Sequence, residues 1–306
     1  MDLDIATFNF ELNGAGNMDT WTEAHELLKS LGLHLLLRQE VWDADAKGGT
    51  LVRDADRYLG LTSVVDPDTS TSVSYDPAVF EPVRTYNAYM FPGVIVALRL
   101  REAGPDSVPI VFSSAHFSYC SPTLRRIQAE TATTLVDRVM TVGPRRTRVK
   151  LAALAGFDGN GYPVSGPGET ELPTEESITD NVHWVHRSRE LTPGVYGPDT
   201  FLDETLTRGR MVDVARYAAQ QLGQPEALAT TTFATTTHGE DQRVDRMVGS
   251  GPVVPAIKRV RVVPVRPDTS DHKIPLCTLD SQVLTTGLHE QLANAQARPL
   301  YAPASR

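Results

Sequence analysis

The sequence predicts an α/β (α+β) chain built as a four-layer α/β sandwich, in which two packed mixed β-sheets are flanked by helices. Three observations predict it. Short apolar, β-branched runs recur at Ile5 to Phe10, Leu33 to Leu37, Val79 to Val83, Val94 to Leu100, Ile110 to Ser114, Val149 to Ala155, Val244 to Val248, Val260 to Val265 and Ile274 to Leu279. They read as strands, many of them buried on both faces. Amphipathic stretches with helical spacing are fewer and fall between them in no regular alternation. The 306 residues, 41% of them hydrophobic, suffice for a substantial core, and no linker divides them.

The helices follow from their local chemistry. Thr20 to Leu31 carries Trp21, Ala24, Leu27, Leu28 and Leu31 on one side. Pro122 to Met140 opens behind Ser121, an N-cap, with proline at the first helical position where its missing N–H costs nothing. Met211 to Leu222 reads as a third helix. From Gly161 to Arg210, Pro, Gly, Glu and Thr dominate and the periodicity fades, so this stretch is expected to be an insertion, either a lid or a mobile segment. The expected organisation is one domain over 1–286, with an insertion at about 161–210, and a tail over 287–306 that starts as a short helix and frays.

A formal net charge of −9 argues against a chain that holds nucleic acid through a broad basic surface. It leaves room for a nuclease, since a divalent cation and a few arginines can handle a phosphate. Arg125, Arg126, Arg145, Arg146 and Arg148 cluster in sequence, a pattern that usually means a solvated face. The opening "MDLDIATFNF" has no basic, signal-like start, and no stretch is long enough to span a bilayer. Cys120 and Cys277 are too few for a disulfide framework. A cytoplasmic location is therefore expected, and nothing points to a protein partner.

The chemistry gathers at strand ends. In "LAGFDGNGYP", Asp158 and Asn160 stand two apart after an apolar run, and extended chain would project both to one side. Asn9 lies in "IATFNF", Gln39 and Glu40 end "HLLLRQE", His116 ends "VFSSAH", Asp245 lies in "RVDRMV", and Asp271 and His272 precede the last core strand in "TSDHKIPL". Each alone has an ordinary explanation as a turn, a strand edge or a packed histidine. Together they define a set of polar strand ends. No GxSxG elbow accompanies them, and no Cys/His spacing suits zinc.

In this order the segments resemble the endonuclease/exonuclease/phosphatase family, the metal-dependent phosphoesterases that include DNase I-like and exonuclease III-like enzymes. The family's TxN corresponds to Thr7 to Asn9, its QE to Gln39 and Glu40, its post-strand His to His116 and its RxxQ to Arg125 to Gln128. Its GDxN corresponds to Asp158 and Asn160, its TF to Thr232 and Phe233, its RxD to Arg243 to Asp245 and its SDH to Ser270 to His272. The match runs from Thr7 to about Leu279. It departs at Phe157, where the family has glycine, and at the insertion.

The resemblance implies phosphate-ester hydrolysis at a Mg2+ site, with Mn2+ as a substitute. Glu40 would be the main metal ligand, helped by Asp271 and Asn9. Asp158 would activate water, Asn160 would donate to a phosphate oxygen, and His272, oriented by Asp245, would contact the phosphoryl group with His116 as a second donor. Arg125 and Tyr119 are the candidates for holding the substrate. A nuclease or other phosphodiesterase is the first expectation. A phosphatase or phosphodiesterase for a small-molecule or lipid ester is the second, and a silent binding module on the same fold is the alternative of another class.

Overall fold

The computed structural model describes residues 1–235 and 239–298. The chain lays down β1 (Asp2–Asn9), α1 (Met18–Ser30), β2 (Leu35–Gln39), α2 (Ala46–Leu59), β3 (Thr62–Asp66), β4 (Thr71–Tyr75), β5 (Phe80–Tyr86), β6 (Gly93–Leu100) and β7 (Ile110–His116). Then come α3 (Pro122–Ala132), β8 (Val139–Val142), β9 (Thr147–Lys150), β10 (Ala152–Asp158), α4 (Asn181–Arg187), β11 (Ser188–Thr192), β12 (Val195–Pro198) and α5 (Phe201–Arg208). The last elements are β13 (Val212–Asp213), α6 (Val214–Gln221), β14 (Asp245–Gly249), β15 (Ile257–Val263), β16 (Ile274–Asp280) and α7 (Ser281–Ala297).

Two six-stranded sheets result, in the orders β15-β16-β1-β2-β4-β3 and β13-β14-β10-β7-β6-β5. Each has a parallel pair at its centre, β1 beside β2 and β10 beside β7, with antiparallel neighbours outside. The sheets are therefore mixed, and their central strands, buried on both faces along most of their length, need cover on both sides. Period-two alternation then assigns each side chain. Ile5, Thr7 and Asn9 face the opposing sheet, while Ala6 and Phe8 pack with Trp21, Ala24 and Leu28 of α1.

Close contact between the sheets rests on two devices. At Gly156 a Cβ would come within 2.7 Å of both Leu37 and Thr7, so only glycine permits the approach. Gln39, fully buried, donates through Nε2 to Ser114 Oγ at 2.9 Å and to Thr7 Oγ1 at 3.2 Å, stitching the sheets beside Glu40.

Several expected boundaries move. The helix expected to reach Met140 ends at Ala132, followed by a 3-10 turn over Thr133–Asp137 and then β8. The expected strand over 149–155 is two strands, β9 and β10. The helix expected from Met211 starts at Val214, because Asp213 caps it by accepting from Ala215 N and Arg216 N. The boundary drawn at 286 falls inside α7, whose Leu284 and Leu288 are fully buried. Each such leucine is worth about 1.5–3 kcal/mol, enough to hold the helix on the core. The fraying expected at the end of the chain falls mostly outside the described residues. The insertion is folded, with α4, the β11–β12 hairpin and α5, and it buries Tyr162, Ile178, Trp184, Leu202 and Leu206. Among the described residues no helix is long and apolar enough to cross a membrane.

Candidate active site

Strands from both sheets end at one edge of the sandwich. β1 delivers Asn9 there, β2 leads into Glu40, and the parallel pairing of β7 with β10 sets His116 opposite Asp158. β14 starts at the same edge, with Asp245 opposite Asp158, and Asp271 and His272 enter just before β16.

The Asn9 amide is the meeting point. Its Nδ2 donates to Glu40 Oε1 at 3.1 Å and to Asp158 Oδ2 at 3.0 Å, and lies 3.4 Å from His272 Nε2. Asp158 Oδ2 is also 3.4 Å from His116 Nε2 and 4.0 Å from His272 Nε2. Glu40 adopts a left-handed φ of 55°, a strain of roughly 1–3 kcal/mol for a residue with a Cβ. That turn aims its carboxylate at Asn9. Leu12 N–H at 2.8 Å and the Trp42 indole N–H at 3.3 Å both donate to Oε2 and hold it there.

The Ser270-Asp271-His272 segment is fixed from several directions. Ser270 Oγ donates to Asn9 O and accepts from His272 N, Thr232 bridges to His272, and Phe233 N donates to Asp271 O. These contacts are the structural work of the Thr232-Phe233 pair. His272 Nδ1 donates to Asp245 Oδ2 at 2.7 Å, since a carboxylate can only accept. Its Nε2 is thereby turned toward Asn9, Asp158 and Asp271.

The electrostatics follow from burial competing with neighbours. Burial opposes the charged form of His272, but Asp245, through charge and hydrogen bond, and then Asp158 and Asp271 outweigh it and raise its pKa to about 10. His116 is likewise raised, because its bond to Asp158 and the charges of Asp158 and Glu40 overcome desolvation. Asp158 is only 2% exposed, yet its carboxyl is held well below the usual range. Desolvation is overcome there by the His116 hydrogen bond, the charges of His272 and His116 and, further off, Arg187.

The donor set suits a hard divalent cation. Asn9 Oδ1 and Asp271 Oδ1 are buried without a hydrogen-bond partner, and with the Glu40 carboxylate, which Asn9 Nδ2 contacts, they are oxygen donors of the kind such a cation takes. Asp158, Asp245 and His272 also offer ligand atoms within 4.8 Å of one another. His272 and Asp245 in that group are already bonded to each other.

Not every expected residue joins. The Asn160 side chain donates to Phe117 O, and its backbone N–H holds Asp158 Oδ1 at 2.9 Å. The strand ends at Asp158 and Asn160 turns left-handed at φ 45°, so alternation no longer governs where it points. Arg125 is a correction to the substrate-binding set. It is buried, paired with Asp199 at 2.7 Å and donating to Ser118 O and His186 O. With Gln128, whose Oε1 accepts from Ser118 N, it clamps the loop after His116. Tyr119 lies on that loop, 65% exposed. Phe157 turns its ring away from Asp158 to the other face, edge-on to Phe117 and under Arg246, so the missing glycine leaves the site intact. Trp42 and Arg187 carried no motif; an exposed aromatic in "QEVWD" was the available signal for the first.

Known structures share this architecture. An AP endonuclease from Archaeoglobus fulgidus superposes with a TM-score of 0.59 at 13% identity, covering 91% of this chain and 99% of that one. An endonuclease/exonuclease/phosphatase protein from Bacteroides vulgatus gives 0.60 at 14%, covering 92% and 99%. ANGEL2, a 2',3'-cyclic phosphatase solved with adenosine-2',3'-vanadate, gives 0.54 at 13%, covering 91% and 95%. At these identities the likeness establishes the fold, which is that of the endonuclease/exonuclease/phosphatase structures, as the sequence resemblance anticipated. No protein-family model matches the sequence, and no curated protein is detectably similar to it.

Proposed function

We propose that this chain is a metal-dependent hydrolase of phosphate esters, in the first place a phosphodiesterase or nuclease. The observation that carries the reading is the Asn9 amide, within 3.4 Å of Glu40, Asp158 and His272 from three distant segments. Glu40, with Asn9 and Asp271, is the seat for Mg2+ or Mn2+, which when bound supplies positive charge to the phosphoryl oxygens and the leaving group.

The chain's own groups do the rest. Asp158, kept ionised, orients the attacking water and accepts its proton. His272, kept protonated and aligned by Asp245, donates from Nε2 to a phosphoryl oxygen, and His116 is a second donor. Asn160 holds Asp158 in place. No covalent intermediate is needed.

The net charge of −9 and the folded insertion favour a second substrate class, a small-molecule or lipid phosphate ester, and the cyclic-phosphatase neighbour supports it. A silent binding module has less support, because every carboxylate and imidazole of the set remains. Hydrolysis of bis(p-nitrophenyl) phosphate and p-nitrophenyl phosphate tests the proposal. Turnover with Mg2+, lost with chelator and in Asp158→Ala and His272→Ala, is expected. No turnover with either Mg2+ or Mn2+, alongside tight binding of a partner, would favour the binding module. Plasmid DNA, single-stranded DNA, RNA, sugar phosphates and lipid head-group esters then separate the substrate classes.

A further inference from the structure

Arg187 closes α4, the helix capped by Asp180 inside the insertion. It is 9% exposed, and its Nε is buried with no hydrogen-bond partner. Among the other buried arginines, Arg125 pairs with Asp199, Arg243 with Glu169 and Asp213, and Arg246 with Asp203, while Arg38 donates to the Asn13 amide; Arg38 Nε and the three Arg246 guanidinium nitrogens also find no hydrogen-bond partner. Arg187 makes no ion pair with any described residue, because the nearby Asp199 carboxylate is taken by Arg125. Removing an unpaired guanidinium from water costs several kcal/mol, roughly, unless an anion meets it.

The position of Arg187 says where that anion lies. Its carbonyl accepts from Asp199 N at 2.9 Å, and Asp199 O accepts from Tyr162 N at 2.9 Å, which ties the end of α4 to the segment leaving Asp158. Its positive charge is felt at both Asp158 and the Tyr162 phenol. The end of α4 therefore lies against the segment that leaves Asp158, on the second sheet's side, since Glu40 and Asn9 come from the first sheet and the insertion follows a strand of the second.

We propose that Arg187 is a phosphate ligand delivered by the insertion, its planar fork gripping oxygens of the substrate's phosphoryl group beside Asp158. This rests on the phosphoesterase reading and deepens it. The insertion then completes the site, in place of the lid or mobile segment expected from its composition. Arg187 takes over the role that the sequence assigned to Arg125.

The test separates binding from turnover. Inorganic phosphate is titrated calorimetrically into wild type, Arg187→Ala and Arg187→Lys in the presence of Mg2+, and bis(p-nitrophenyl) phosphate kinetics are measured on the same proteins. Loss of one charged hydrogen-bonding group predicts phosphate affinity weaker by roughly 10- to 100-fold in Arg187→Ala and a higher KM, with an intermediate effect in Arg187→Lys. Added guanidinium ion at millimolar concentration should restore part of the activity of Arg187→Ala, which a merely structural defect would not allow. If Arg187→Ala fails to fold, Arg187→Lys alone carries the comparison. Wild-type phosphate affinity and KM in a folded variant would overturn the proposal while leaving the phosphoesterase reading intact. A wild type that hydrolyses no ester, yet binds phosphate through Arg187, would sink that reading and keep the ligand.

Discussion

Two buried charge networks lie on opposite faces of β14, and they are built to different rules. On one face Asp245 enters the active site with Glu40, Asp158 and Asp271, a surplus of carboxylates in which Asn9 Oδ1, Asp245 Oδ1 and Asp271 Oδ1 find no hydrogen-bond partner. On the other, three arginines meet three carboxylates: Arg243 pairs with Glu169 and Asp213, Arg216 with Glu169 and Asp203, and Arg246 with Asp203, all at 2.5–3.0 Å. The second network is neutral and fastens the insertion to the sheet. The first is left acidic, a surplus that the proposed cation would offset, while the second balances its charges even though the Arg246 guanidinium nitrogens find no hydrogen-bond partner. On the proposed function, structural charge is balanced within the chain, whereas the charge of the site is left for a ligand to balance.

The sharpest way to break this contrast is to neutralise one carboxylate on each face. Asp158→Asn should lower kcat/KM on bis(p-nitrophenyl) phosphate by about 10²- to 10⁴-fold, the usual worth of a positioned general base. Its urea midpoint should fall too, but by less than for Arg246→Ala, because the pairing of the ionised carboxylate with His116 and His272 is lost. Arg246→Ala should leave kcat/KM nearly unchanged. It leaves Asp203 short of a partner at a fully buried position, and urea unfolding should show a loss of about 3–5 kcal/mol. A stable Arg246→Ala protein would show that the balanced network is dispensable.

Acid sharpens the comparison further. Burial alone would raise the Asp203 carboxyl, but Arg246 and then Arg216 hold it at about 2, and Arg243 and Arg246 depress Asp213 in the same way. A carboxyl depressed on folding adds stability that is complete above the unfolded value near ~4 and vanishes as pH falls through the folded value. Melting temperature should therefore drop between about pH 4 and pH 2, and Asp203→Asn should flatten that slope. An unchanged slope in the variant would mean that acid sensitivity lies elsewhere. The smallest expected effect is at Trp42. Trp42→Phe removes the indole donor to Glu40, and Mg2+ affinity measured by calorimetry should fall by up to ~10-fold with the fold intact.

The site was more legible than its surroundings. Strand alternation was applied at Asp158, which lies in extended backbone with a covered face, and Asn9 ends the first strand as its place in the sequence implied. The same rule failed at Asn160, one residue beyond the point where extension ends. Arg125 misled because a helix presents a long side chain inward or outward according to what the rest of the fold brings to it, and here that is Asp199. Hairpin β3–β4 went unread, since Thr62–Asp66 and Thr71–Tyr75 mix serine and threonine with valine; β4 owes its burial to neighbouring strands, and the edge strand β3 is only partly buried. Trp42 and Arg187 belong to no spacing pattern. Their roles come from where loops happen to return, which sequence periodicity does not encode.

The Gln39 stitch between the sheets carries a consequence of its own. The proposed catalytic groups are divided between the sheets, so any slippage at that seam would part Asp158 and His116 from Glu40 and Asn9 by the distance slipped. Turnover then becomes the finest gauge of how the two halves of the sandwich are aligned, and in mild denaturant it should fade while the ladders of both sheets are still intact.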